Sequence, residues 1–210
     1  MNKFYRGSMY CIGLLILALG IVLNTKTGLG VSSIISIPYS ISCIFGFNLG
    51  NTTLCIYVLC VFGQLLLRGK GFRAFDLLQI PMSVVFSRVI NVFNDMIKVN
   101  SNELFVNLLM LIAAIMLTGI GMAISVKMNF VPNPADGLAQ AIGERIGKGL
   151  GAGKNILDVS CVLITLAIGL TFAGKVTGIG LGTLAAMLGV GRSAALFNMF
   201  YEEKMLALAS

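Results

Sequence analysis

The sequence contains no histidine, only 11% charged residues and no long hydrophilic run. Without histidine, the chain lacks the side chain most often used as a general base, a proton relay or a metal ligand. A soluble domain is not expected, because it would need a long hydrophilic run. The sequence also shows no clustered carboxylates and no nucleophile–base pair. We therefore expect that the protein is not an enzyme and that it holds no cofactor and no metal.

What the sequence does contain is typical of a multispanning membrane protein. Hydrophobic residues make up 57% of its 210 residues, and the mean hydropathy is +0.95, which predicts the lipid bilayer as its surroundings. The net charge of +7 is better explained by basic cytoplasmic loops than by nucleic acid. The first apolar run begins near Met9 without a small-residue cleavage site after it, so we expect a membrane span there and not a removable signal.

The five cysteines all lie in apolar runs, and no two of them form a CxxC pair. Such cysteines usually act as small buried hydrophobes. The sequence therefore predicts no disulfide framework and five buried thiols, at Cys11, Cys43, Cys55, Cys60 and Cys161.

One polar stretch, 132–145, is too short to cross a bilayer comfortably. Pro132 and Pro134 favour the start of a helix, because the first helical N–H groups have no partner in the helix anyway. Asp136 then lies in the first turn, where a carboxylate suits the positive end of the helix dipole. The stretch predicts a polar half-helix that forms a binding site at membrane depth.

The two halves of the chain form an internal repeat. A shift of 101 residues places Gly20 on Gly121 and Lys26 on Lys127, and a shift of 104 places Arg88 on Arg192. Each half then contains four segments, and the sequence predicts repeats at 1–100 and 101–210. The eight segments are 9–24, 31–47, 49–67, 75–96, 104–126, 132–145, 155–173 and 178–200.

The distribution of lysine and arginine favours one topology. Arg88 and Arg192 lie within spans and are left out of the counts. If all eight segments cross, seven of the other basic residues lie inside and six outside; if the second segment of each half dips in and returns, ten lie inside and three outside. The second arrangement obeys the positive-inside rule. The predicted fold is all-α, with six transmembrane helices and two re-entrant half-helices in an inverted 3+3 repeat, and with both termini in the cytoplasm.

The candidate substrate-binding residues begin with two arginines within predicted spans. A guanidinium inside a span is costly and marks a site or an ion pair, so we expect Arg88 and Arg192 to contact substrate. They could also snorkel to the headgroups or pair with Asp136 or Asp158. Asp136 is the candidate carboxylate for substrate or ion coupling, and helix-start stabilisation is its alternative role.

Four further polar residues complete the predicted site. Ser32, Ser33 and Asn133 lie at the starts of the dipping helices, where exposed N–H groups favour an anion. Ordinary N-capping explains them equally well. Asp158 is a second coupling or ion-pair candidate, although a salt bridge to Lys154, four residues earlier on the same helix, is at least as good an explanation.

The sequence resembles the YczE/YitT-like group of bacterial multispanning membrane proteins. The resemblance lies in Gly28-Leu29-Gly30 after the first span, Pro134-Ala135-Asp136 at the polar helix, and the stretch Gly178-Ile179-Gly180-Leu181-Gly182-Thr183. It implies a bacterial cytoplasmic (inner) membrane protein without a defined substrate. That group has Pro-x-Asp at its dipping helix, whereas the first half here has Val31-Ser32-Ser33, so a symmetric carboxylate site is not implied. The glycines at 178–182 lack the strand of a phosphate loop, and we assign them to close helix packing.

Together these features predict a small secondary transporter that moves an anionic or zwitterionic small solute by alternating access, with a proton or cation as an optional coupling ion. The alternative is a substrate-binding membrane subunit of a larger energised importer. The sequence leaves the oligomeric state open, with a homodimer as one option.

Overall fold

The regular structure of the described residues is helical. A computed structural model of the chain describes residues 3–99, 101–128 and 130–209, and the predicted repeat boundary at 100/101 adjoins a residue outside these ranges. Two short 3-10 helices, Gly69–Gly71 and Ala74–Leu78, precede the fourth α-helix. The α-helices are α1 (Lys3–Lys26), α2 (Ser33–Phe45), α3 (Leu49–Arg68), α4 (Gln79–Met96), α5 (Leu104–Lys127), α6 (Pro134–Arg145), α7 (Gly149–Ala173) and α8 (Leu181–Ala209).

Six of these segments are long and apolar enough to cross a membrane: α1, α3, α5, α7 and α8, and α4 together with the preceding 3-10 turn. Large apolar side chains cover their outer surfaces, as expected for a surface that faces lipid. The prediction of a multispanning membrane protein is therefore confirmed. With 13 and 12 residues, α2 and α6 are only about 20 Å and 18 Å long, and are too short to span a hydrocarbon core of about 30 Å.

Several predicted boundaries were wrong. The first helix starts at Lys3 instead of near Met9, α7 starts at Gly149 instead of 155, and α8 starts at Leu181 and continues to Ala209. The glycine-rich start of α7 is helical because α6 packs directly against it: a methyl group added to Gly153 would collide with the carbonyl oxygen of Ala139.

The prediction that all five cysteines are buried was also wrong. Cys60 and Cys161 are buried, but Cys11, Cys43 and Cys55 are exposed on the outer surface. All five thiols are free.

Helices α1 and α5 run antiparallel and pack closely through glycines. A methyl group on Gly20 would lie 2.5 Å from the Thr118 hydroxyl oxygen, and one on Gly121 would collide with the backbone of Leu17. At one end of the pair, the Arg6 guanidinium donates to the Met128 carbonyl oxygen at 2.6 Å. Small residues allow the two backbones to approach closely. Helices in a membrane associate through such packing, because lipid provides no hydrophobic driving force for their association.

The short helix α2 lies parallel to α7. Ser33 at its start contacts Asp158, and Phe45 at its end contacts the Phe172 ring, with centroids 5.4 Å apart. Gly46 ends the helix in the left-handed conformation, with φ of 72°. Because Asp158 lies nine residues into α7, or about 14 Å along it, α2 begins in the interior and ends near one face.

The short helix α6 lies parallel to α3 and ends at the other face. The Pro134 carbonyl oxygen at its start accepts from the Gln64 amide at 3.1 Å, and Glu144 near its end pairs with Arg68 at 3.0 Å. Helix α6 therefore also begins in the interior, but it runs in the opposite direction to α2.

The two faces of the molecule differ in their basic residues. The arginine face holds the first residues of α1, the ends of α3 and α6, and the arginines Arg6, Arg68, Arg73 and Arg145. The lysine face holds the ends of α1, α4 and α7, with Lys26, Lys98 and Lys175. On the lysine face, Lys26 Nζ donates a hydrogen bond to the Asn94 carbonyl oxygen at 3.2 Å.

Candidate functional site

The N-termini of α2 and α6 meet at a central cavity of about 230 Å³. The predicted N-cap positions are correct, since Ser32 precedes α2 and Asn133 precedes α6. Long helices α1, α3, α5, α7 and α8 complete the walls. The polar lining consists of Ser32, Ser33, Thr118, Asn133, Asp136, Lys154, Asn155 and Asp158, with Tyr57 beside Asn133.

On the α2 side, a buried carboxylate meets the helix start. Asp158 is only 6% exposed, and its Oδ1 accepts from the Ser33 hydroxyl at 2.5 Å. One turn along α2, the Ser36 and Thr165 hydroxyl oxygens lie 2.7 Å apart. The Ser32 side chain makes no capping hydrogen bond, so the first N–H groups of α2 depend on other partners.

On the α6 side, the helix start is capped and held in place. Asn133 accepts from the Ala135 N–H at 3.0 Å and donates from its amide to the Tyr57 hydroxyl at 3.3 Å. Below it, fully buried Gln64 and Gln79 exchange two amide hydrogen bonds of 2.9 and 3.1 Å. Because Gln64 also donates to the Pro134 carbonyl oxygen, this pair ties the start of α6 to α3 and α4.

Asp136 and Lys154 bring opposite charges to the cavity. Lys154 Nζ lies 3.9 Å from Asp136 Oδ1, and the two side chains keep 42% and 29% of their accessible surface. Burial raises the pKa of the Asp136 carboxyl above its ordinary value; Lys154 opposes this shift and Asp158 adds to it. Lys154 thus pairs across to α6, and not with Asp158 on its own helix as the four-residue spacing suggested.

The two predicted arginines are not brought to the cavity. Arg88 is exposed on α4, where its guanidinium donates to the Asn51 side-chain oxygen at 3.1 Å. Arg192 is exposed on α8, next to Gly191, which lines the cavity. Neither arginine forms a salt bridge with Asp136 or Asp158 in the described part of the chain. Ser32, Ser33, Asn133, Asp136 and Asp158 come together without them.

A larger vestibule at the arginine face adjoins the central cavity. It has a volume of about 650 Å³ and shares Met122, Asn133, Asp136 and Lys154 with the cavity. Its outer walls include Phe75 from the turn before α4 and Phe130 from the α5–α6 loop. Three polar groups of the cavity, Asn133, Asp136 and Lys154, therefore also border the vestibule at the arginine face.

Two interlocked loops, 28–31 and 178–182, close the molecule on the lysine face. Val31 N–H donates to the Gly178 carbonyl oxygen at 3.0 Å, and Gly182 N–H donates to the Leu29 carbonyl oxygen at 2.8 Å. Gly30 has a φ of 102°, and any methyl group on it would collide with the backbone nitrogen of Gly180. The glycines at 178–182 thus serve close packing as predicted, but against a loop.

Sequence reasoning missed two residues as parts of this site, Tyr57 and Lys154. A signal for Tyr57 existed, because the shift of 101 that aligns the halves places Tyr57 on Asp158. Lys154 was considered only as a salt-bridge partner of Asp158, and its contact with Asp136 follows from the packing of α6 against α7. Among the described residues, no group of three or more cysteines and acidic residues is arranged to hold a metal ion.

Comparison with known families gives one match. The model of a family described as "Family of unknown function (DUF6198)" matches residues 4–199. The chain belongs to this family. The DUF6198 match includes the central cavity, the vestibule and both interlocked loops. No curated protein and no solved structure matches the chain, so DUF6198 membership by itself assigns no activity.

Proposed function

We propose that this DUF6198 protein is a small secondary transporter that moves an anionic or zwitterionic small solute by alternating access. One observation carries the proposal: two opposed half-length helices begin at a central polar cavity, which shares lining residues with a vestibule at one face, while two loops are in backbone contact at the other face. Interrupted helices that present their N-termini to a midplane site are the usual construction of secondary transporters.

An inverted repeat of 1–100 and 101–210, with α2 and α6 as re-entrant half-helices, is part of the proposal. Contacts occur in pairs that the shift of 101 exchanges: Gly20 packs on Thr118, and Gly121 packs on Leu17. The N-cap Asn133 contacts Tyr57, and the start of α2 contacts Asp158, the equivalent of Tyr57. The opposite directions of α2 and α6 support inversion, since parallel halves would give them one direction.

We further propose that the arginine face is cytoplasmic. The basic residues gather at the face that holds the starts of α1 and α7 and the ends of α3 and α6, and lysines are few at the other face. The positive-inside rule then places both termini in the cytoplasm. The resemblance to YczE/YitT-like proteins supports a bacterial inner membrane as the location.

The charges in the cavity favour a zwitterion over an anion. Asp136 and Asp158 face one lysine, Lys154, and the arginines that would have attracted an anion lie outside. Both helix N-termini add positive potential. Such a cavity offers partners for both a cationic and an anionic group on one small solute.

The second candidate is a substrate-binding subunit of a larger energised importer, because a solute cavity alone does not require independent transport. Uptake by the purified chain in liposomes distinguishes the two. The transporter proposal predicts that a solute identified by thermal stabilisation is taken up without nucleotide or a second protein and is counter-exchanged with internal solute. Binding without uptake or exchange would support the subunit and refute the transporter.

A further inference from the structure

The central cavity has an apolar wall besides its polar groups. Helices α1 and α8 provide most of this wall, with Leu17, Ile21, Ala186, Met187 and Val190. Helix α2 adds two residues, and α5 and α6 add one each. A cavity of about 230 Å³ with both kinds of lining suits a small amphipathic solute and is smaller than a typical pocket for a drug-sized ligand, which occupies about 300–1,000 Å³.

Asp158 forms no ion pair with any residue in the described ranges. Its side chain is 6% exposed and accepts one hydrogen bond, from Ser33. A buried carboxylate at membrane depth is costly unless a cation pairs with it. Because Asp158 lines the cavity, a cationic group of a ligand can supply the missing charge.

Groups that suit an anion line the same cavity near Asp158. Lys154 is held loosely, at 3.9 Å from Asp136 with 42% of its side chain accessible, and it can turn toward a ligand. The start of α2 has no side-chain cap on its first N–H groups, whereas Asn133 caps the start of α6. Free N–H groups beside an ammonium suit a carboxylate.

We propose that the central cavity binds an α-amino acid with an apolar side chain. Its ammonium group pairs with Asp158, its carboxylate with Lys154 and the first N–H groups of α2, and its side chain packs on the apolar wall. This assignment rests on the proposed solute site and names its substrate class.

Three probes of similar shape test the assignment by calorimetry on the purified full chain in nanodiscs. They are L-leucine, isopentylamine, which lacks the carboxylate, and 4-methylpentanoate, which lacks the ammonium. We expect leucine to bind and each truncated probe to bind at least tenfold more weakly, because each leaves a charged partner unmatched. Equal binding of either truncated probe, or no binding of leucine, would overturn the assignment.

The variant Asp158→Asn keeps an acceptor for the Ser33 hydroxyl, so the fold should be preserved. It should weaken leucine binding at least tenfold and leave the weak binding of 4-methylpentanoate unreduced. The matched control is Asp95→Asn, the same change at an exposed carboxylate of α4, which should bind leucine like the unaltered chain. Unchanged leucine affinity in Asp158→Asn would overturn the role of Asp158.

Failure of this inference is separable from failure of the transporter proposal. If leucine does not bind but another solute is taken up into liposomes, the amino-acid assignment is wrong and transport remains. If leucine binds with the predicted pattern but is not transported or exchanged, the assignment holds and the transporter proposal is wrong.

Discussion

At the residue scale, Asp136 is the titratable group best placed to link a proton to solute binding. It borders both the vestibule and the central cavity, so it can exchange protons with the arginine face. Burial raises its carboxyl pKa, which means that it accepts a proton at a higher pH than an exposed aspartate, whose pKa is about 3.9. The groups that face it are Lys154 and Asp158 on α7 and Tyr57 on α3.

If Asp136 carries the coupling proton, the uptake rate depends on the protonated carboxyl. Uptake should then fall as the pH rises through the raised pKa of Asp136, and Asp136→Asn, which cannot titrate, should lose this dependence. The measurement is initial uptake in liposomes at a series of matched internal and external pH values. Asp95→Asn serves as the control. An unaltered pH profile in Asp136→Asn would show that another group carries the proton.

Whether Arg88 and Arg192 face the cavity could not be predicted from the sequence. Ser87 and Ile90 on α4 are buried, while Arg88 between them is exposed. In a membrane protein both the lipid-facing and the interior sides of a helix are apolar, so hydropathy does not reveal which side faces the cavity. The polar starts of α2 and α6 were predictable because capping residues and proline mark them directly. The rotation of α4 and α8 about their own axes, which decides where their arginines point, depends on packing.

At the element scale, the interlocked loops 28–31 and 178–182 form the closed end of the proposed pathway. Their closure depends on backbone contact, because Gly182 donates to the Leu29 carbonyl oxygen and a methyl group on Gly182 would lie 2.7 Å from the Gly30 carbonyl oxygen. Any side chain at this position pushes the loops apart. Overpacking of this kind costs about 1–3 kcal/mol.

Gly182→Ala should therefore open the lysine face more often. With Met187→Cys as a reporter in the cavity, in a chain without native cysteines, labelling by an impermeant maleimide from the lysine face should rise roughly fivefold to 150-fold, the ratio that corresponds to 1–3 kcal/mol. Gly151→Ala is the matched control, since it also lies in a first helical turn but has open space around it. Equal labelling in both variants would mean that these loops are not a gate.

The elements themselves were largely predictable, because long apolar runs mark membrane helices and prolines and glycines mark their breaks. The helix start that was predicted wrongly lies in a glycine-rich stretch. The predicted segment began at 155 and not at Gly149, because glycine weakens helices, whereas tight packing against α6 requires glycine there. Composition alone does not separate glycines that end a helix from glycines that allow another helix to approach.

At the scale of the whole molecule, the proposed inverted repeat suggests how the proposed pathway would alternate. The shift of 101 places Gly30 on Val131, and the shift of 104 places Gly180 on Asp76. Gly30 and Gly180 are in contact at the lysine face. Their equivalents, Val131 and Asp76, both line the vestibule at the arginine face. We infer that the opposite state brings the α5–α6 loop onto the turn before α4 and separates the interlocked loops.

The most direct test of the inverted architecture is the membrane topology of equivalent links in the two halves. Single cysteines at Gly71, in the α3–α4 link, and at Lys175, in the α7–α8 link, are placed in a chain without native cysteines and labelled in intact cells with an impermeant maleimide. Both positions are exposed, and Gly71 has open space for a side chain. Our account predicts labelling at Lys175 only, with Gly71 labelled after permeabilisation. Labelling of both positions in intact cells would contradict the inverted repeat and the alternating-access mechanism built on it.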